Sequence, residues 1–208
     1  MKDFVQNEIH WLGHASFKIS ASKVIYFDPY EIKTSDNADL IMISHEHFDH
    51  CSPDDVAKIQ GDNTVIIGPE DALKKLSGNK KVTRPGDKFT ISGVDIEVVP
   101  AYNTNKKFHP KANGWCGYIV KVDNCRIYHS GDTDHIPEMK AFRADVVFLP
   151  VSGTYVMTSE EAAKAALEIS PKYAFPMHYG SIVGKKSDAD RFQELLSGKI
   201  EVIVKQAE

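Results

Sequence analysis

Four of the six side chains in His45-Glu46-His47-Phe48-Asp49-His50 can bind a metal: His45, His47, Asp49 and His50. Imidazole and carboxylate donors suit zinc, and manganese or iron as alternatives, and the cluster is dense enough to serve two adjacent ions. Divalent ions in such a site lower the pKa of a shared water and polarise a substrate oxygen, which is the chemistry of hydrolysis near neutral pH. A lone histidine more often packs structurally. Four candidate ligands in six positions behind an apolar run do not read as an ordinary polar loop.

The elements around this stretch have to aim it. Residues Asp39-Leu40-Ile41-Met42-Ile43-Ser44 read as an apolar strand, and Ser52-Pro53 reads as the N-cap and first position of a helix. Other candidate residues also stand where apolar runs stop. Asp28 ends Val24-Ile25-Tyr26-Phe27, Asp132 follows the strand that ends at His129, and His178 follows Tyr173-Ala174-Phe175-Pro176. Gly131, just before Asp132, permits a sharp backbone turn there. No Ser-His-Asp or Cys-His arrangement is evident.

His-x-His-x-Asp-His after an apolar strand resembles the signature of the metallo-β-lactamase superfamily. Gly13-His14-Ala15-Ser16-Phe17 resembles the start of its simple metal-dependent hydrolase branch, which includes ascorbate-phosphate-lactonase-like proteins. The likeness runs from Ile9 to Gly180. It implies an α/β fold, a four-layer αββα sandwich of two mixed sheets with helices on the outer faces and metals at one edge between the sheets. It further implies that His45 and His47 hold a first ion, that Asp49, His50 and His178 hold a second, and that Asp132 bridges the two. Asp49 would also orient the nucleophile or accept its proton. Asp28 would support the metal loop through hydrogen bonds. His14 would reach the rim or serve structurally, and Tyr179 and Tyr155 would place hydroxyls nearby or pack.

One departure stands out. Many relatives place a third histidine for the first ion after the strand that here ends Val99-Pro100-Ala101, and this chain has Tyr102-Asn103. An amide is a poor zinc ligand beside imidazole. His109, six residues on in the same loop, is the candidate replacement, with Asn103 as its hydrogen-bond partner or, alternatively, the ligand itself.

Composition bounds the remaining choices. The 208 residues suit one domain, residues 1–208, or one two-layer fold built from two similar halves, and 42% hydrophobic residues allow a sizeable core. A net charge of -4 lacks the basic footprint of a nucleic-acid binder. No apolar run approaches a membrane span and the first residues lack a signal core, so a cytoplasmic protein is expected. Cys51, Cys116 and Cys125 fit free thiols in a reducing compartment.

Apolar periodicity predicts strands over 9–12, 15–19, 24–27, 39–44, 64–67, 88–91, 94–99, 118–122, 126–129, 144–150, 173–176 and 200–204. It predicts helices over 53–60, 70–76, 160–169 and 188–196, the third with a Thr158–Glu161 capping box. Residues 100–114 show no period and read as a functional loop. The expected activity is hydrolysis of an ester, lactone or phosphoester-type small molecule by a metal-bridging hydroxide. Lys106, Lys107 and Lys111 around His109 suggest a basic mouth and an anionic substrate. A nuclease or phosphodiesterase, or a non-catalytic metal-binding or ligand-binding protein, is the alternative. An oxygen- or nitric-oxide-reducing di-iron centre fits less well, since those relatives have Glu at the position of His47 and an attached flavin domain.

Overall fold

A computed structural model describes residues 1–208. Thirteen strands form two sheets. The first contains β1 (Ile9–Gly13), β2 (Ser16–Ser20), β3 (Val24–Phe27), β4 (Ala38–Met42), β5 (Gln60–Gly68) and β6 (Asn79–Val82), in that spatial order. The second runs β13-β12-β11-β10-β9-β8-β7, from β7 (Lys88–Ile91), β8 (Val94–Pro100), β9 (Cys116–Val122), β10 (Cys125–His129), β11 (Val146–Pro150), β12 (Tyr173–Met177) and β13 (Glu201–Val202). Both sheets are mixed. β1, β2 and β3 pair antiparallel and β3 to β6 parallel, while β7 to β10 pair antiparallel and β10 to β13 parallel.

Alternation sorts the side chains between layers. Ile25, Phe27, Leu40 and Met42 face the second sheet and belong to the main core. Tyr26, Ile41, Ile43 and Ile66 face the other way, into a smaller core shared with Val56 and Ile59 of α2 (Pro53–Ile59) and Ala72 and Leu73 of α3 (Glu70–Leu73). Between the sheets, Phe17 of β2 stacks on Phe148 of β11 at 3.9 Å, and Phe27 stacks on His129 at 5.0 Å. On the far face, α4 (Ser159–Ile169) packs on β11 and α5 (Lys186–Leu196) on β12. The result is the αββα sandwich.

Local signals account for most boundaries. Ser52 accepts from the Asp55 amide with Pro53 in the first turn of α2, and Thr158 and Glu161 close both halves of the capping box on α4. Several elements differ from the periodicity reading, among them α3, which stops at Leu73, and β5, which extends over Gln60–Gly68. Residues 2–7 form a helix, α1 (Lys2–Asn7), that buries only Val5. β6 is an exposed edge strand with two lysines, whose polar sequence carries no alternation, as edge strands often do not. The final strand shrinks to Glu201–Val202. No helix is long and apolar enough to cross a membrane.

Candidate metal centre

The carboxyl ends of β3, β4, β10 and β12 converge at one edge of the two sheets, the usual place for a site in such a fold. The segment after β4 is stitched into both. The Ile43 amide donates to Ile67 O at 2.8 Å, Tyr118 Oη donates to Ile43 O at 2.8 Å, and the Cys116 amide donates to Ser44 O at 3.0 Å. Beyond it, the amides of His50 and Cys51 both donate to His47 O, which folds the loop back on itself. His45, His47 and His50 are thereby turned toward one another.

Asp28 anchors this loop from below. It is fully buried, and its Oδ1 accepts from the Ser44 amide at 2.7 Å while Oδ2 accepts from Ser44 Oγ at 2.6 Å and His50 Nδ1 at 2.8 Å. The bond to Nδ1 leaves His50 Nε2 facing the site. Three further imidazoles are held at Nδ1 in the same way, whereas His47 Nδ1 lies 3.0 Å from His45 Nε2. His178 Nδ1 lies 3.1 Å from Ser152 Oγ, and His45 Nδ1 lies 2.9 Å from Ser44 Oγ. His109 places Nδ1 3.2 Å from Asn103 Oδ1, and its amide donates to the same oxygen at 2.9 Å. His50, His109 and His178 thus each have one nitrogen held and the other unpaired, the arrangement that metal sites require.

The free ends meet at Asp132. His50 Nε2 lies 3.3 Å from its Oδ1, and His109 Nε2 and His178 Nε2 lie 3.3 and 3.1 Å from its Oδ2. None of these approaches is aligned as a hydrogen bond. His50 Nε2, His109 Nε2, His178 Nε2 and Asp132 Oδ1 are all buried without a partner. Leaving a buried polar atom unpaired costs about 1–3 kcal/mol, more if charged, so four at one point demand an explanation. Donors around a tetrahedral zinc with bonds near 2.0–2.1 Å sit roughly 3.3 Å apart, which matches these spacings. The residues fit divalent cations. Candidate donor groups form around His45, His47 and His109, around His14, Asp49, His50 and His178, and around His45, His50 and Asp132.

The electrostatics agree with a cation site. Burial pushes the His45 imidazole well below its ordinary pKa and lowers that of His47, so both are neutral donors. Burial would raise the Asp132 carboxyl, but the charges of His178 and His50 outweigh it and hold it well below the carboxylate range. Burial likewise opposes charge on His50, and there the carboxylates of Asp132 and Asp28 win and hold it well above the imidazole range. Asp49 is drawn down to about 2 against its burial, by the bond from His14 and the charge of His50.

Three of the eight non-glycine residues with positive φ lie here. His14, Asp28 and His178 adopt φ of 48°, 43° and 60°. Such conformations cost about 1–3 kcal/mol each in non-glycine residues and persist where surrounding bonds over-determine them. His178 N, for example, donates to His14 O at 2.8 Å, coupling two of the three.

The structure brings His45, His47, Asp49, His50, His109, Asp132 and His178 together, with Asp28 beneath them. His14 is only 2% exposed and inside the cluster, not at its rim. Asn103 is fully engaged, with Oδ1 on the His109 amide and ring and Nδ2 on Asp134 and Tyr155 O. Two expectations change. Tyr179 stacks on Trp11 at 4.9 Å and lines a separate cleft, because the left-handed turn at His178 carries the next side chain away from the cavity. The basic mouth expected from Lys106, Lys107 and Lys111 also fails to form. Lys106 pairs with Asp134 at 2.7 Å and Lys111 with Glu138 at 2.8 Å, and none of the three lysines lines the cavity. Ser44, Ser152 and the exposed Phe48, Phe108 and Ile182 were not singled out by the sequence. Ser44 adjoins His45, which is a usable signal, whereas nothing local marks Ser152.

Fold and site together define a two-sheet hydrolase scaffold with a histidine–aspartate metal centre. Residues 8–178 match the model of the β-lactamase superfamily domain. The chain is 33% identical over 96% of its length and 96% of the relative's to a UPF0173 metal-dependent hydrolase of Thermococcus kodakarensis. A crystal structure from Parabacteroides distasonis, described as a metal-dependent hydrolase, superposes with a TM-score of 0.84 at 36% identity, covering 96% of this chain and 93% of that one. The metallo hydrolase Igni18 of Ignicoccus hospitalis shares the fold, with a TM-score of 0.78 at 23% identity over 96% and 94% of the two chains. The chain belongs to the β-lactamase superfamily, among its metal-dependent hydrolases.

Proposed function

We propose that this chain is a binuclear hydrolase, with zinc the first choice of metal and manganese or iron the alternatives, acting on an ester, lactone or phosphoester small molecule. The observation that carries the reading is Asp132. Its carboxylate lies between unpaired nitrogens of both candidate donor sets, with His109 Nε2 of one 3.3 Å from Oδ2, and His50 Nε2 and His178 Nε2 of the other 3.3 Å from Oδ1 and 3.1 Å from Oδ2. A carboxylate so placed suits a bridge between two cations. His45, His47 and His109 would hold one ion, and Asp49, His50 and His178 the other. Bound there, the ions supply an activated water and Lewis acidity toward the scissile bond.

The chain's own residues do the positioning. Asp49 borders the cavity and, with its pKa near 2, is ionised at neutral pH. It therefore acts as a hydrogen-bond acceptor that orients the attacking water, rather than as a strong base. His14 holds one Asp49 oxygen, and Asp28 holds His50. A cytoplasmic location is supported by three buried cysteines that are all free.

The test is elemental analysis of reconstituted protein together with a screen of lactones, carboxylic esters, thioesters, phosphodiesters and β-lactams. About two ions per chain are expected, with turnover of at least one class that a chelator abolishes and added metal restores. Asp49→Ala should abolish that turnover while the protein stays folded. Protein that retains no metal, or turnover indifferent to chelation, would defeat the reading.

A further inference from the structure

The cavity over the donor cluster has a volume of about 290 Å³ and is walled by two kinds of residue. Its floor is the donors. Its walls are Phe48, Phe108, Tyr155 and Ile182. Three of these are exposed, Phe48 at 66%, Phe108 at 51% and Ile182 at 42%, and they are half of the six large apolar side chains exposed anywhere on the protein. Scattered exposed apolar residues mean little, but a cluster ringing a polar floor marks a site for an apolar group.

The rings are placed by their neighbours. Phe48 lies between His47 and Asp49, whose side chains turn inward, so its own is driven outward, edge-on to Tyr30 at 5.8 Å. Phe108 precedes His109 and meets Tyr155 edge-to-face at 4.6 Å. The Tyr155 carbonyl is in turn held by Asn103, the residue that fixes His109. The apolar wall is thus built into the same segments as the donors. Apart from the ions proposed at its floor, the cavity offers a substrate no cationic partner, since no lysine or arginine lines it. The volume sits at the low end for small-molecule sites, roughly 300 Å³ upward.

We infer that the substrate is a small neutral molecule with one apolar arm, a single aromatic ring or a short alkyl chain, attached next to the hydrolysable bond. The arm lies among Phe48, Phe108, Tyr155 and Ile182 while the bond rests on the donor floor. This rests on the hydrolase reading above.

Two measurements on the metal-reconstituted full chain separate the two ideas. The first is binding of alkyl hydroxamates from acetohydroxamate to hexanohydroxamate, with benzohydroxamate and inorganic phosphate alongside, followed by calorimetry. Affinity should rise about two- to fourfold per methylene as the chain enters the apolar wall, and benzohydroxamate should exceed acetohydroxamate. In the Phe48→Ala/Phe108→Ala variant the chain-length dependence should flatten. A flat series in the unaltered protein, or phosphate binding tighter than benzohydroxamate, would overturn the inference. The second is hydrolysis of methyl alkanoates of matching length. No hydrolysis beside a rising hydroxamate series would defeat the ester reading and leave the apolar arm standing. Hydrolysis indifferent to chain length beside a flat hydroxamate series would do the reverse.

Discussion

His14 Nε2 lies 2.9 Å from Asp49 Oδ2, joining the turn after β1 to the metal loop across 35 positions of sequence. Burial lowers the His14 pKa, and the bond to Asp49 only partly offsets it. The neutral ring therefore donates from Nε2, leaving Nδ1 buried and unpaired. His14 is strained at φ 48° and fixed by Trp11 Nε1, which donates to its carbonyl at 3.0 Å. A strained backbone held by two bonds to its carbonyl, with the ring on Asp49, suits a residue that positions that candidate ligand.

His14→Ala should reduce both metal retention and kcat/KM, by about 10- to 100-fold, the usual cost of removing a residue that orients a ligand. His14→Gln, which can still donate to Asp49, should recover part of the loss. Metal titration with a competing chelator checks this. Unchanged affinity in His14→Ala would show that Asp49 is held without it.

His109 and Asn103 separate by role. His109 offers Nε2 to the site, whereas Asn103 acts through His109. His109→Ala should lose about half of the bound metal, and Asn103→Ala should keep the stoichiometry while weakening one ion about 10-fold or more. Asn103→Asp should preserve the acceptor and behave closer to the parent. Elemental analysis and chelator competition read both effects. Equal loss of metal in His109→Ala and Asn103→Ala would contradict the division.

Gly131 cannot carry a side chain. Its φ is 59°, and a Cβ there would stand 2.8 Å from Ser44 Cβ and 2.9 Å from the Cys116 carbonyl oxygen. Left-handed backbone costs a non-glycine residue about 1–2 kcal/mol, and forced overpacking a further 1–3 kcal/mol. Gly131→Ala should lower Tm by roughly 5–15 °C for a chain of this size and, by shifting Asp132, lower metal content. A scanning calorimetry trace matching the parent would remove the close approach as a constraint.

The cysteines should be silent. Burial pushes the thiols of Cys51, Cys116 and Cys125 up to about 12. Since the thiolate is the reactive form, an aromatic disulfide reagent at pH 8 should label none of them in the native protein and all three after denaturation. Rapid native labelling of any one would mean that its surroundings open readily.

Much of this protein was legible along the chain because its candidate donors cluster locally. His45 to His50 fall within one turn of loop, and Asp28, Asp132 and His178 each stand where an apolar strand stops. Period-two alternation and the capping residues likewise marked most elements, since both are local consequences of backbone geometry. Shape at longer range was not legible. That His109 and not Asn103 turns inward depends on Asn103 being occupied by Asp134, 31 positions away, and by Tyr155, 52 positions away. That Lys106 is withdrawn from the mouth depends on the same Asp134. That Tyr179 leaves the cavity follows from one left-handed residue before it. Side-chain types and their spacing carried the chemistry. Which side chains are already committed to distant partners, and which are left to face the cavity, is set by packing between segments far apart in the chain, and only the tertiary structure decides it.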